Sequence, residues 1–237
     1  MLLSINQFSC SYAQHQVLKQ LNLTLQQGEV VSILGSNGAG KSTLLKCILG
    51  LSDSSAQCTG DIEIMGHSIR HQTALARPYL AYVPEQPAVY GHLSAIDNIR
   101  YFLSLSNTEG ITLEEIETCL MKAGLPKQAW QQACSQYSKG MRQKVMLALA
   151  LVKQSKLLLL DEPNSGLDPN ATDELNQLIL QCKQLGMGVL VVTHDVLSAL
   201  AFSDRMFMLS AGELKPVMLD KEQLSVSTLK QLYQAQV

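Results

Sequence analysis

At 237 residues and 46% hydrophobic composition, the chain can bury a full core, and its length suits one lobed domain better than several. Its 18 basic against 20 acidic residues give a formal net charge of −2, too even a balance for a broad electrostatic footprint on a polyanion, so a nucleic-acid partner is not expected. No apolar run approaches the ~18 residues that span a bilayer, the longest lying near Val145–Val152, and Met1–Phe8 lack the basic-then-apolar order of a secretory leader, so any membrane role passes through a partner chain.

Taken in order, residues 1–34 read as a β-rich opening, with strands at Leu21–Leu25 and Val30–Leu34 separated by the turn Gln27-Gly28-Glu29. The second strand runs into Gly35-Ser36-Asn37-Gly38-Ala39-Gly40-Lys41-Ser42, which fits the phosphate-binding spelling G-x-x-x-x-G-K-[ST], and Thr43-Leu44-Leu45-Lys46-Cys47-Ile48-Leu49 continues as a helix. Strand, loop and helix in that order place helix N–H groups and their partial positive charge against an anion. Glycines let loop amides turn inward, Lys41 offers a cation to terminal phosphates, and Ser42 offers a hydroxyl to Mg²⁺. A nucleoside triphosphate is the expected ligand.

Residues 52–60, rich in Ser, Asp and Gly, read as a loop before a strand Asp61–Met65 that ends at Gly66. His67 and His71 are four apart, but no Cys or carboxylate completes a tetrahedral set nearby, so they read as loop residues. A strand Leu80–Val83 stops at Pro84. Amphipathic helices follow, one capped by Ser94 and a second opened by a capping box of Thr112 with Glu115 and closed by Gly124. Trp130 and the stretch 127–136 read as a polar connection, and Gly140 as a turn before an apolar helix Met141–Val152. Residues from about 86 to 145 therefore form a helical lobe inserted in an α/β chain.

Leu157–Leu160 is apolar throughout, as in a parallel strand buried on both faces, and ends in Asp161-Glu162-Pro163. There Asp161 would orient Mg²⁺ through water, and Glu162 would accept the proton of an attacking water. A helix over 171–185 and a buried strand Gly188–Thr193 complete a doubly wound sheet whose ligand lies at the carboxyl ends of its strands. His194 emerges at that edge, where it can sense a terminal phosphate. A main domain over 1–225 and a C-terminal helix near 227–235, within 226–237, close the chain. The six cysteines, Cys10, Cys47, Cys58, Cys119, Cys134 and Cys182, have no C-x-x-C spacing and read as scattered, reduced core thiols.

Three further segments, Tyr137-Ser138-Lys139-Gly140-Met141, Ser165-Gly166-Leu167-Asp168 and Thr193-His194-Asp195, resemble the signature, D-loop and switch histidine of ATP-binding cassette (ABC) ATPases, in order and in spacing. The resemblance runs from Tyr12 to Gly212. It implies a RecA-like P-loop core with a mostly parallel sheet, an N-terminal antiparallel β lobe and an inserted helical lobe. It also implies a head-to-tail dimer, in which ATP lies between the phosphate loop of one copy, Thr43 included, and the signature residues Ser138, Lys139, Gly140 and Met141 of another. Tyr12 resembles the aromatic that stacks on adenine, Lys41, Glu162 and His194 the catalytic groups, and Asp168 with Ser165 the bridge between subunits.

Two positions depart from the common family spelling. Glu85 stands where Gln usually follows the strand-ending segment, with Gln86 next to it, so either could fill the metal-side slot beside Ser42 and Asp161. Lys139 and Met141 replace the usual Gly and Gln, Lys139 bringing a cation to the signature. The pattern is similar to the branch serving ABC-2 type exporters. It implies a cytoplasmic subunit held at the inner face of the membrane by a separate multi-span permease. A soluble ABC ATPase driving assembly work, such as iron–sulfur scaffold loading, is the alternative.

Overall fold

The computed structural model describes residues 1–13, 15–106, 108 and 110–217; the C-terminal helix expected near 227–235 lies outside the described residues. Two sheets form the frame. Strands β1 (Leu3–Tyr12), β2 (His15–Leu25), β4 (Ala56–Ile64) and β5 (His67–Ser68) make an antiparallel sheet in the order β2-β1-β4-β5. The larger sheet contains β3 (Val30–Leu34), β6 (Leu80–Val83), β7 (Leu157–Asp161), β8 (Gly188–Thr193), β9 (Arg205–Ser210) and β10 (Glu213–Val217), in the order β10-β9-β3-β8-β7-β6. Its pairs are parallel except for the edge pair β10 and β9.

The central strands of that sheet have no polar face. All five residues of β3, all six of β8 and the four leucines of β7 are buried, because helices cover one side and the antiparallel sheet the other. Helix α1 (Lys41–Ile48) packs Leu44, Leu45 and Ile48 into the layer between the sheets, each such burial stabilising the fold by roughly 1.5–3 kcal/mol. Gly188 permits the close approach there: a Cβ would stand 2.3 Å from Leu2 Cδ2 and 2.4 Å from Leu25 Cδ2.

On the other side, α3 (Ala95–Leu105), α4 (Leu113–Lys122), α5 (Lys139–Val152) and α6 (Pro169–Gln184) share a second core with β7 and β8. The short helix α2 (Thr73–Ala76) packs beside β5 of the antiparallel sheet, and α7 (Val196–Phe202) packs against β3 and β8 of the larger one. The expected caps form: Ser94 Oγ accepts from Asp97 N, and Thr112 with Glu115 makes the reciprocal capping box.

Several expectations are corrected. Strand β4 begins at Ala56, so most of the expected loop over 52–60 is strand: Thr59, Cys58 and Gln57 pair with Ser9, Cys10 and Ser11, and backbone pairing outweighs the turn-like composition. β2 likewise starts six residues before Leu21. Gly140 lies inside the first turn of α5, because Ser138 Oγ accepts from Met141 N and starts the helix two residues earlier. Trp130 is no part of a polar connection. It is 7% exposed, its Nε1 donates to the Leu125 carbonyl at 2.9 Å, and with Ala129 and Cys134 it joins the helical-lobe core. All six cysteines are free, yet Cys10, Cys47 and Cys58 are not scattered but converge on one point.

Candidate nucleotide site

The loop after β3 reaches the carboxyl edge of the larger sheet and turns into α1 through Gly40, whose φ of 106° lies in the left-handed region where a Cβ would also press on Leu18 at 3.0 Å. No side chain caps α1 and no acid occupies its first turn, so its leading N–H groups remain for an anion. They open on a cavity of ≈450 Å³ lined by Ser36, Asn37, Gly38, Gly40 and Lys41 through Thr43. Of the other loop residues, Gly35 offers its carbonyl to Lys41 and Ala39 packs against the core.

Glu162 and Lys41 meet at the inner wall of this cavity. The Lys41 Nζ donates to the carbonyls of Gly35 at 2.5 Å and Ser36 at 3.3 Å, and lies 3.1 Å from Glu162 Oε1 without a well-aligned hydrogen bond. Glu162 Oε2 accepts from Thr193 Oγ1 at 3.0 Å and from His194 N at 3.1 Å, and pairs with His194 Nδ1 at 2.9 Å. Burial would raise the Glu162 carboxyl, but the His194 hydrogen bonds and the Lys41 ammonium outweigh it and hold the group below the usual carboxylate range. Its φ of 44° is left-handed for a non-glycine residue, a strained conformation costing roughly 1–3 kcal/mol that clusters at functional sites.

Asp161 behaves oppositely. Burial pushes its carboxyl up, with Glu162 and Glu85 adding to the rise, while a hydrogen bond from Tyr82 Oη at 3.1 Å and the Lys41 charge resist it. Glu85 also lines the cavity and accepts from Ser165 Oγ at 3.1 Å, whereas Gln86 is exposed outside the lining. One hydroxyl, Ser42, and carboxylates that repel one another around a phosphate cradle form a hard-oxygen donor set that fits Mg²⁺.

The other signature positions lie elsewhere. Ser138, Gly140, Met141 and Asp168 line a separate cavity of ≈320 Å³ between α5 and α6, and shared residues with the first cavity are absent among those described. Asp168 caps α6, accepting from Ala171 N at 3.0 Å. Lys139 does not bring its cation to this cavity: its Nζ donates to the Ser165 carbonyl at 2.5 Å, turning inward to the D-loop. A single copy therefore places these two sets of residues on two separate cavities.

Tyr12 ends β1 directly opposite His15 and packs partly against the core, and it is His15 with Val17, not Tyr12, that lines the first cavity. His15, Val17 and Tyr82 are carried by no local sequence signal, nor is Gln143, whose Nε2 donates to Pro163 O at 2.6 Å and ties α5 to the turn after Glu162. Only tertiary structure brings these residues to the site, and no spacing pattern marks them.

The model of the ABC transporter family matches residues 18–165, more than half of the chain. The chain belongs to the ABC transporter family. It is 30% identical to the lantibiotic transport ATP-binding protein SrtF of Streptococcus pyogenes, over 100% of this chain and 97% of that one. Among solved structures, the ATP-binding subunit of an ABC transporter superposes with a TM-score of 0.82 at 30% identity, covering 98% of both chains. The dimeric ATP-binding cassette MJ0796, in a post-hydrolysis state with ADP and Pi bound, gives 0.77 at 27% identity over 90% of this chain and 96% of that one. The ABC fold expected from sequence is thus present, and the chain is an ATP-binding, ATP-hydrolysing subunit of this family. Among the described residues no helix is long and apolar enough to cross a membrane.

Proposed function

We propose that this cassette, spanning residues 1–225 with its helical part over about 86–145, binds Mg·ATP in the larger cavity and hydrolyses it only when a second copy completes the enclosure. The observation that supports this most is the convergence of Lys41, Glu162 and His194 on one cavity, while Ser138, Gly140, Met141 and Asp168 line another. Lys41 and the α1 N-terminus would hold the phosphates, Ser42, Asp161 and Glu85 the metal. Glu162 would take the proton of the attacking water, and His194 would orient Glu162 and the terminal phosphate. Tyr12 or its neighbour His15 would meet the adenine. The partner's signature cavity would close over the phosphates through the Ser138 hydroxyl and the N-terminal amides of α5, with Asp168 at the subunit junction.

The work done is transport through a separate multi-span permease, which would hold this subunit at the cytoplasmic face of the membrane. The dimeric relative and the transport-named homologue support that arrangement, and the signature spelling favours an ABC-2 type exporter. The assembly-ATPase alternative finds no support among these relatives. Substituting Glu162→Gln tests the reading: hydrolysis should fall by roughly 100-fold or more while ATP binding persists and ATP drives a stable dimer, read by phosphate release and light scattering. Turnover equal to the parent's would remove Glu162 from the chemistry.

A further inference from the structure

The sulfur atoms of Cys10, Cys47 and Cys58 lie within 4.8 Å of one another, although the residues come from three different elements. Cys10 in β1 and Cys58 in β4 are direct cross-strand partners, and Cys47 approaches from the last turn of α1. Three thiolates around a d¹⁰ metal ion at about 2.3 Å would stand roughly 3.8 Å apart, so closing the triangle needs shifts of no more than about 1 Å. Soft sulfur ligands select Cu(I) and Zn(II) over hard cations such as Mg²⁺. An entry path exists: a cavity of ≈200 Å³ is lined by Cys47 and Cys58, with Asp61 and Arg70 also on its wall, and Cys58 is half-buried.

We propose that Cys10, Cys47 and Cys58 form a three-sulfur binding site for a thiophilic d¹⁰ metal ion, separate from the nucleotide cavity. No fourth His, Cys, Asp or Glu among the described residues joins the set. Cu(I) is accommodated as three-coordinate, and Zn(II) would add a water from the cavity. Each ligating thiol releases its proton to solvent as the sulfur–metal bond forms, and the metal keeps its oxidation state. The bound ion would fasten β1 and β4 to α1, whose first residue is Lys41 and whose penultimate residue is Cys47. Tyr12 stands beside the site, two residues beyond Cys10 and within reach of its sulfur.

The test uses the full chain, reduced with a non-thiol reductant under anaerobic conditions and titrated with Cu(I) and, separately, with Zn(II) against chromophoric chelators. The expected result is one ion per chain with three sulfurs in its X-ray absorption shell. Affinity should fall by roughly 100-fold in Cys58→Ser, which alters the most accessible ligand and spares the core, and should not change in Cys182→Ser. Metal should raise the melting temperature of the parent but not of Cys58→Ser. Equal affinity in parent and Cys58→Ser, or a shell with fewer than three sulfurs for both ions, overturns the proposal.

Discussion

Removing the Tyr82 hydroxyl isolates how the Asp161 carboxylate is kept ionised. In Tyr82→Phe, Asp161 Oδ2 loses its 3.1 Å donor, while burial and the negative charges of Glu162 and Glu85 remain. A hydrogen bond to a charged group is worth about 1.5–3 kcal/mol when enclosed. Asp161 is only partly buried, so the loss is about 1 kcal/mol, and it pushes the carboxyl further up. Because the folded-state value already lies above the unfolded one, the folded protein holds this proton more tightly. Stability tied to the group is therefore complete below the unfolded value and is lost as pH rises through the folded one.

The variant should consequently be less stable by about 1 kcal/mol at neutral pH, a melting shift of roughly 2–4 °C, and should match the parent in acid. If Asp161 holds Mg²⁺ as proposed, the acid limb of the ATPase rate profile should move to higher pH, and on that limb, where the more tightly held proton competes, the Mg²⁺ concentration giving half-maximal rate should rise by up to roughly 5-fold. Differential scanning calorimetry across pH and Mg²⁺ titrations of phosphate release read both quantities. A melting difference that persists unchanged at low pH would refute the electrostatic argument, and an unchanged Mg²⁺ midpoint would refute the placement of Asp161 at the metal.

Two further outcomes follow from the geometry. Lys139→Ala breaks the contact with the Ser165 carbonyl and frees the D-loop; turnover should fall by roughly 3–10-fold, the effect of about 1 kcal/mol, with no change in ATP affinity of the isolated subunit measured by fluorescence titration. A large loss of affinity would mean instead that the cation reaches phosphate. Trp130→Ala removes a side chain that is 7% exposed from the helical-lobe core, and should destabilise the protein by about 3–5 kcal/mol, visible as a large drop in the denaturant midpoint.

Much of the fold was legible wherever a short stretch carries its own physics. The phosphate loop, the caps at Ser94 and Thr112, the all-leucine run of β7 and the acidic end at Asp161-Glu162 are local spellings whose structure does not depend on distant neighbours. What escaped was set by tertiary partners. β4 extends through polar residues because β1 supplies a backbone ladder, and Trp130 is buried through single-turn helices whose spacing resembles neither a strand nor an α-helix. Glu85 sits against Ser165, eighty positions away, which is why adjacent Glu85 and Gln86 could not be separated by spelling. The three converging thiols share no interval in the chain; only the stacking of β1, β4 and α1 brings them to one point.

The contacts of Lys41 also link the proposed base to the proposed phosphate site. Its ammonium is shared between the carbonyls of its own loop and Glu162, so on the proposed reading a phosphate that binds Lys41 would compete with Glu162 for one charge. Loosening that ion pair would make the carboxylate a stronger base, so that nucleotide binding itself would promote proton abstraction.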